Sequence, residues 1–476
     1  MEVGVMLQIK RDRYPRIGLF AIGLETYWEQ FPQIRPYLEK TYQTLSARLA
    51  GKCELVSVGI VDTVERAQEA GRMFKARDVD LVFCSCATYS PSSNMMPALR
   101  DLNVPVVVLN VQPEPKLALD SYEGFGDWLK DLTCAGAGEA TAMLLRYGIP
   151  FSTVTGWLNN DEVAEREIDN WCKAAKIRRT LREGKAALLG HPFNGMMDLN
   201  VNETNIHRQI GLYSDYLELH EIKDAMENVT HEEQAELSRY IQEKYILSDG
   251  LTQEDFEYTA KACAAMIRLI RERNYIMVPM HFSGKTDDEY GPIVSVMNLV
   301  FSILITNGIP CTVECDLKTA IAMLILKELC GSCNMGELYG MDFPANTVLI
   351  GHSGASDLSL SDSKPMLKVS SVFHGKSGKG VMTQFAVKKG PVTMISLVED
   401  NDGQYTILAA EGEAVEGPVL TLGDTNACVR FGGDIRSFVD RWLRRGPSHH
   451  GAFAIGKCAD QVEKVASVLG MQFIQI

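Results

Sequence analysis

Between residues 16 and 150, short uninterrupted apolar runs alternate with amphipathic stretches, and this alternation constrains the fold more than any other feature of the chain. RIGLFAIG (16–23), CELVSVGI (53–60), DLVFCSC (80–86) and VPVVVLNV (104–111) are brief and apolar, as strands buried on both faces are. Between them, Tyr37–Leu49 and Thr63–Ala76 carry helical spacing. The order β-α-β-α-β predicts a parallel sheet covered by helices on both faces.

A charged helical stretch, Asp161–Leu181, leads into a second unit of the same texture. AALLGHPF (186–193), NYIMVPM (274–280) and GIPCTVE (308–314) read as strands. Glu232–Lys244, Glu254–Arg273 and the apolar segment after Pro292 read as helices. Beyond about residue 340 the pattern changes. NTVLIGHSG, GVMTQFAV, GPVTMISLVED, GQYTILAAEG and EAVEGPVL are short alternating runs punctuated by Gly, Asp and Lys, which predict an antiparallel sheet or barrel, followed by a terminal helix at Asp460–Leu469. The expected fold class is α/β: two doubly wound Rossmann-like domains (1–180 and 181–335), then a C-terminal antiparallel β-barrel-like domain (336–476). A length of 476 residues agrees with several domains rather than one core.

Charge and composition narrow the function classes. A formal net charge of -14 argues against a nucleic-acid partner, which needs a concentrated basic surface. The one basic cluster, Lys173–Arg182, is patterned as a solvated helix face or subunit contact. The longest apolar stretch, Ile293–Ile309, is interrupted by Ser295, Asn298, Ser302, Thr306 and Asn307 and is shorter than a membrane span requires. The N-terminus shows no basic region followed by an apolar one, so a cytoplasmic protein is expected. Twelve scattered cysteines without repeated spacing read mostly as buried thiols; Cys330/Cys333, the one C-x-x-C, reads as half a zinc site, a redox pair or no site, the last favoured because one pair supplies two of the usual four zinc ligands. There is no phosphate-cradling glycine loop and no G-x-S-x-G elbow.

Four residues stand where chemistry is commonly placed. Glu314 closes the apolar run 309–313 just before the helical pattern Leu317–Leu329, and ligands of open α/β sheets bind at carboxyl ends of strands. Serving the helix N-terminus is the competing reading for Glu314, and more so for Asp316. Glu337 follows a Cys/Gly/Asn-rich turn, His352 ends the run Thr347–Gly351 between two glycines, and His449-His450 occupies a Pro/Gly-bounded turn in RGPSHHGAF. Each alone is compatible with a structural role. Together, two carboxylates and two imidazoles form an oxygen and nitrogen donor set that suits manganese, magnesium or cobalt better than a structural zinc.

These segments resemble the L-arabinose/L-fucose isomerase family. VECDLKTAIAMLILK is similar to the E-G-D-W-K-T-A segment of L-arabinose isomerases, GELYGMDFPANTVLIGH to the M-E-D-Y stretch leading to V-L-G-A-H, and SHHGAF to the G-A-H-H-T turn. FAIGLETYW and FNGMMDLNV resemble F-V-x-G-S-Q-H-L-Y and F-G-D-N-M-R-x-V, and PMHF (279–282) falls where the family has an aromatic substrate contact. The resemblance implies metal ligation by Glu314, Glu337, His352 and His450, and acid/base roles for the two glutamates. It also implies sugar contacts from Glu25, Trp28, Met197, Phe282 and His449.

A homo-oligomer, a hexamer or trimer with sites near subunit interfaces, is the expected assembly. The implied activity is metal-dependent aldose–ketose isomerisation of a free pentose, hexose or modified sugar through an enediol, with Mn2+ (or Mg2+/Co2+). A sugar-binding regulatory protein of periplasmic-binding-protein type and a metal-dependent epimerase on the same scaffold are the alternatives. The chain departs from the family at DLTCAGA, where Leu132 and Ala135 replace a pocket glutamine and histidine, and at Glu25, which replaces Gln. Arabinose itself is therefore disfavoured as substrate.

Overall fold

The computed structural model describes residues 13–247, 250–282, 289–373 and 376–476. The N-terminal residues on which the reading of a leader depends lie outside them. The chain divides into two compact units, residues 13–179 with 467–469 and residues 180–466 with 470–476.

The first unit is built on five strands: β1 (Arg16–Ile22), β2 (Glu54–Val61), β3 (Leu81–Ser85), β4 (Val106–Gln112) and β5 (Phe151–Trp157). All pairings are parallel, in the order β2-β1-β3-β4-β5. β3 is buried along its whole length and β1 everywhere but its first residue, because helices cover both faces. Phe20, Ile22, Phe74, Val82, Val108 and Leu144 form part of that core. Strand order reverses between β1 and β3, so the carboxyl end of β1, where Glu25 and Trp28 follow, flanks the crevice that doubly wound sheets use for ligands. The basic run 173–182 is not wholly solvated. Arg179 is buried, its guanidinium 2.8 Å from Asp80 and 3.0 Å from Asp78.

The second unit holds two sheets. In the smaller, β6 (Lys185–Gly190), β7 (Tyr213–Tyr216), β9 (Tyr275–His281) and β10 (Cys311–Thr312) lie parallel in the order β10-β9-β6-β7. The helices Gln253–Arg273 and Gly291–Thr306 present long buried faces, and no described helix is long and apolar enough to cross a membrane. The first of them starts at a capping box, Thr252 with Asp255.

The larger sheet has ten strands, formed by the short β8 (Ile246–Leu247), β11 (Asn334–Asp342), β12 (Thr347–Ser353), β13 (Met366–Phe373), β14 (Lys376–Ala386), β15 (Gly390–Glu399), β16 (Tyr405–Val415), β17 (Asp424–Phe431), β18 (His450–Ile455) and β19 (Gln472–Gln475). Their order is β19-β16-β15-β18-β11-β12-β17-β14-β13-β8, with an additional antiparallel pairing of β16 with β17. The purely antiparallel arrangement expected from the sequence is corrected here. The sheet is mixed, since β8–β13, β14–β17 and β16–β19 are parallel. β19 returns after the helix Ala459–Leu469, a crossover that brings it back parallel. None of the twelve cysteines, all among the described residues, is joined in a disulfide.

Candidate metal centre and active site

The site lies in the second unit, where the loop after β10 meets the edges of β11, β12 and β18. Asp316 caps the helix Leu317–Cys330, accepting from the Thr319 N–H at 2.9 Å and the Thr319 hydroxyl at 2.7 Å. The chain between β10 and that cap is unusual. Glu314 (φ 59°) and Cys315 (φ 56°) both adopt the left-handed conformation, which costs a non-glycine residue roughly 1–2 kcal/mol. The Phe193 N–H donates to the Glu314 carbonyl at 3.2 Å, and the Cys315 N–H donates to the Met280 carbonyl at 3.0 Å. This turn carries the Glu314 carboxylate at the carboxyl edge of the parallel sheet.

Strand register supplies the other groups. Glu337 on β11 stands opposite His450 on β18 and opposite Gly351 on β12, the residue before His352. Residues directly opposite in an antiparallel pair share a face, so Glu337 and His450 meet. His450 Nε2 lies 3.3 Å from Glu337 Oε1 and 3.4 Å from Glu314 Oε2. His352 Nε2 lies 3.7 Å from Glu337 Oε1, and its ring meets that of His450 edge-on at 5.1 Å. His449 Nε2 is 3.8 Å from each carboxylate. Two overlapping groups, Glu314/His449/His450 and Glu337/His352/His450, have ligand atoms within 4.8 Å of one another. The structure thus brings Glu314, Glu337, His352, His449 and His450 together.

The outer hydrogen bonds determine what the imidazoles present. The Ser353 carbonyl, 2.8 Å from His352 Nδ1, can only accept, so Nδ1 carries the proton. Asp316 Oδ2 takes the same position toward His450 Nδ1 at 3.0 Å. In their neutral forms both rings therefore turn an unprotonated Nε2 toward carboxylate oxygens. His450 Nε2 is buried and has no hydrogen-bond partner of good geometry. Lone pairs facing lone pairs repel unless a cation stands among them, and two carboxylates with imidazole nitrogens match a divalent ion of hard to intermediate character. By this test the residues fit such an ion.

The titration behaviour has the same cause. Burial pulls the His450 imidazolium down, but the carboxylates of Asp316, Glu337 and Glu314 outweigh it and push its pKa up to about 9. Burial and the charge of His450 hold His352 below the ordinary histidine value. Glu337 and Asp316 lie below the usual carboxylate range because contact with His450 outweighs their burial. His449 is raised, chiefly by its contact with Glu314 and further by Asp198.

The remaining expected contacts are placed as follows. Met197 opens a short turn, Met197–Leu199, and is 80% exposed, beside Asp198, which binds His449. Phe282 follows β9, its ring 3.2 Å from where a Cβ on Gly190 would stand. Glu25 and Trp28 belong to the first unit, where the Trp28 indole donates to Asp62 Oδ2 at 2.8 Å. In that unit Leu132 precedes the helix Thr133–Tyr147, whose first turn contains the exposed Ala135. Two functional positions were not identified by the sequence. Asp316 was legible as a cap but not as the partner of His450, and Asp198 carried no local signal. Their contacts span 134 and 251 residues.

Residues 332–472 match the model of the L-arabinose isomerase C-terminal domain. The chain is similar to the sulfoquinovose isomerase of Priestia aryabhattai, 23% identical over 95% of this chain and 97% of that protein. It is similar also to L-arabinose isomerase 1 of Bacillus licheniformis (23%, covering 82% and 79%) and the L-arabinose isomerase of Serratia proteamaculans (21%, covering 96% and 93%). Residues 332–472 thus match the L-arabinose isomerase C-terminal domain, and the chain is similar over most of its length to L-arabinose and sulfoquinovose isomerases. These relatives are all named as isomerases. The C-terminal match contains Glu337, His352, His449 and His450, while Glu314 lies outside it.

Proposed function

We propose that this enzyme interconverts an aldose and a ketose of a free sugar at a divalent metal held by Glu314, Glu337, His352 and His450. The observation that carries the reading is the buried Nε2 of His450, without a hydrogen-bond partner of good geometry, between Glu314 Oε2 and Glu337 Oε1. Manganese, magnesium and cobalt all suit that donor set. When bound, the ion would offset the negative charge that develops on O1 and O2 of the sugar.

The protein's own groups then account for proton movement. Isomerisation moves one proton from C2 to C1 and another from O2 to O1. The buried Glu314 and the partly exposed Glu337, both beside His450, act as the base that removes the C2 proton and the acid that returns it to C1. His352 and His450 serve as neutral ligands fixed by Ser353 and Asp316.

Met197, Phe282 and His449 contribute sugar contacts. Glu25 and Trp28 contribute theirs across a subunit boundary in a homo-oligomer, a hexamer or trimer working in the cytoplasm. The substrate is a pentose, hexose or modified sugar. Full-length similarity to a sulfoquinovose isomerase supports including sulfonated sugars, and the apolar Leu132 and Ala135 speak against arabinose.

Glu314→Gln and Glu337→Gln test the acid/base roles. Each is expected to lower kcat by about 100-fold or more, judged from the usual worth of general acid–base catalysis. A variant that binds metal and keeps most of the wild-type kcat would remove that glutamate from the proton transfer.

A further inference from the structure

Asp198 lies outside the ligand set, yet it determines how His449 faces the site. Its Oδ2 accepts the His449 backbone N–H at 3.0 Å and lies 2.6 Å from His449 Nδ1. Its own backbone carbonyl accepts from Lys318 Nζ at 2.6 Å and from the Ser448 hydroxyl at 3.1 Å. The carboxylate is therefore held from the helix Leu317–Cys330 on one side and from the histidine turn on the other.

A carboxylate on Nδ1 keeps the proton of neutral imidazole on that nitrogen and leaves Nε2 as an acceptor. That Nε2 faces Glu314 and Glu337 at 3.8 Å each. His450 presents the same face from a fully buried position, whereas the His449 side chain is 37% exposed, its ring tilted 43° to that of His450 with centroids 3.9 Å apart. Of the two rings, His449 is the one an incoming sugar can reach.

We propose that Asp198 is a positioning residue that fixes His449 with a bare Nε2, so that His449 carries the hydroxyl proton of the sugar from O2 to O1. The inference rests on the isomerase reading above. In the sequence it implies, a carboxylate removes the C2 proton and the electron pair forms the enediolate. The O2 proton passes to His449 Nε2 and from there to O1. A proton then returns to C1, leaving C2=O and a C1 hydroxymethyl group. Atoms and charge balance without any oxidant or reductant.

The test compares Asp198→Ala with Asp198→Asn, using metal-loaded full-length enzyme and the sugar best turned over by wild type. Ala removes the acceptor from both His449 bonds, while the amide oxygen of Asn can keep both. Asp198→Ala is expected to lower kcat by about 100-fold or more with KM and Mn2+ affinity within about threefold of wild type, and Asn to recover most of the loss. In D2O the Ala variant should exchange the C2 hydrogen of the aldose faster than it forms ketose, because carbon deprotonation survives while the oxygen proton is stranded. Asp198→Ala/His449→Gln should be no slower than His449→Gln alone.

Retention of kcat, loss of Mn2+ affinity in step with kcat, or multiplicative losses in the double variant would overturn the proposal. If the Ala variant fails to fold, Asp198→Leu keeps the volume without an acceptor and takes its place. A wild type that forms no ketose with any sugar and metal sinks the isomerase reading instead. The Asp198 contact is then still read from the 15N shifts of His449, which should report an unprotonated Nε2 in the neutral ring of wild type and lose that preference in the variant.

Discussion

Asp316 shows how one side chain can serve two levels of the structure. It caps the helix Leu317–Cys330 through Thr319 and fixes the tautomer of His450 through Nδ1. Outer partners of this kind typically change metal affinity about 10- to 100-fold when altered. Asp316→Asn should preserve the cap and weaken Mn2+ binding by that factor in a calorimetric titration, and an unchanged affinity would reduce Asp316 to a cap. At this scale the sequence was informative about residue type and position but not about partners. Glu314 was visible at the end of an apolar run, and the histidines stood between glycines or in a turn. That Asp316 and Asp198 each hold a histidine was not visible, because those contacts join segments far apart in the chain. The left-handed pair Glu314–Cys315 was equally hidden, since neither residue type signals positive φ.

Secondary-structure elements were read well where hydrophobic periodicity governs them and less well where packing does. The apolar segment after Pro292 is a buried helix, Gly291–Thr306, as its spacing suggested. By contrast, the run Ile309–Val313 yields only the two-residue strand β10. GQYTILAAEG, which ends in Gly412, and the start of EAVEGPVL are one continuous strand, β16. Gly412 does not break that strand. It permits a close approach, for a Cβ there would stand 2.8 Å from the Arg430 carbonyl oxygen and 2.9 Å from the Phe431 ring on β17. Gly412→Ala should therefore lower stability by about 1–3 kcal/mol in urea denaturation, the usual cost of overpacking. No loss would mean that β16 and β17 can separate without penalty.

On the scale of the whole molecule, the parallel sheets were legible because strands buried on both faces leave a distinct pattern of short apolar runs. The mixed character of the ten-stranded sheet was not, because β8 and β19 join it parallel across crossovers that no local pattern encodes. That sheet and the loop after β10 bring together residues as far apart as Glu314 and His450. Isomerase activity that depends on this convergence should depend on the ion it is suited to hold. The most direct measurement is ketose formation by EDTA-stripped protein, before and after adding Mn2+, Co2+ or Mg2+, on a panel of pentoses, hexoses and sulfonated sugars. The account predicts negligible turnover without metal and its recovery on re-addition with at least one sugar. Equal ketose formation by the folded, metal-free enzyme would contradict it.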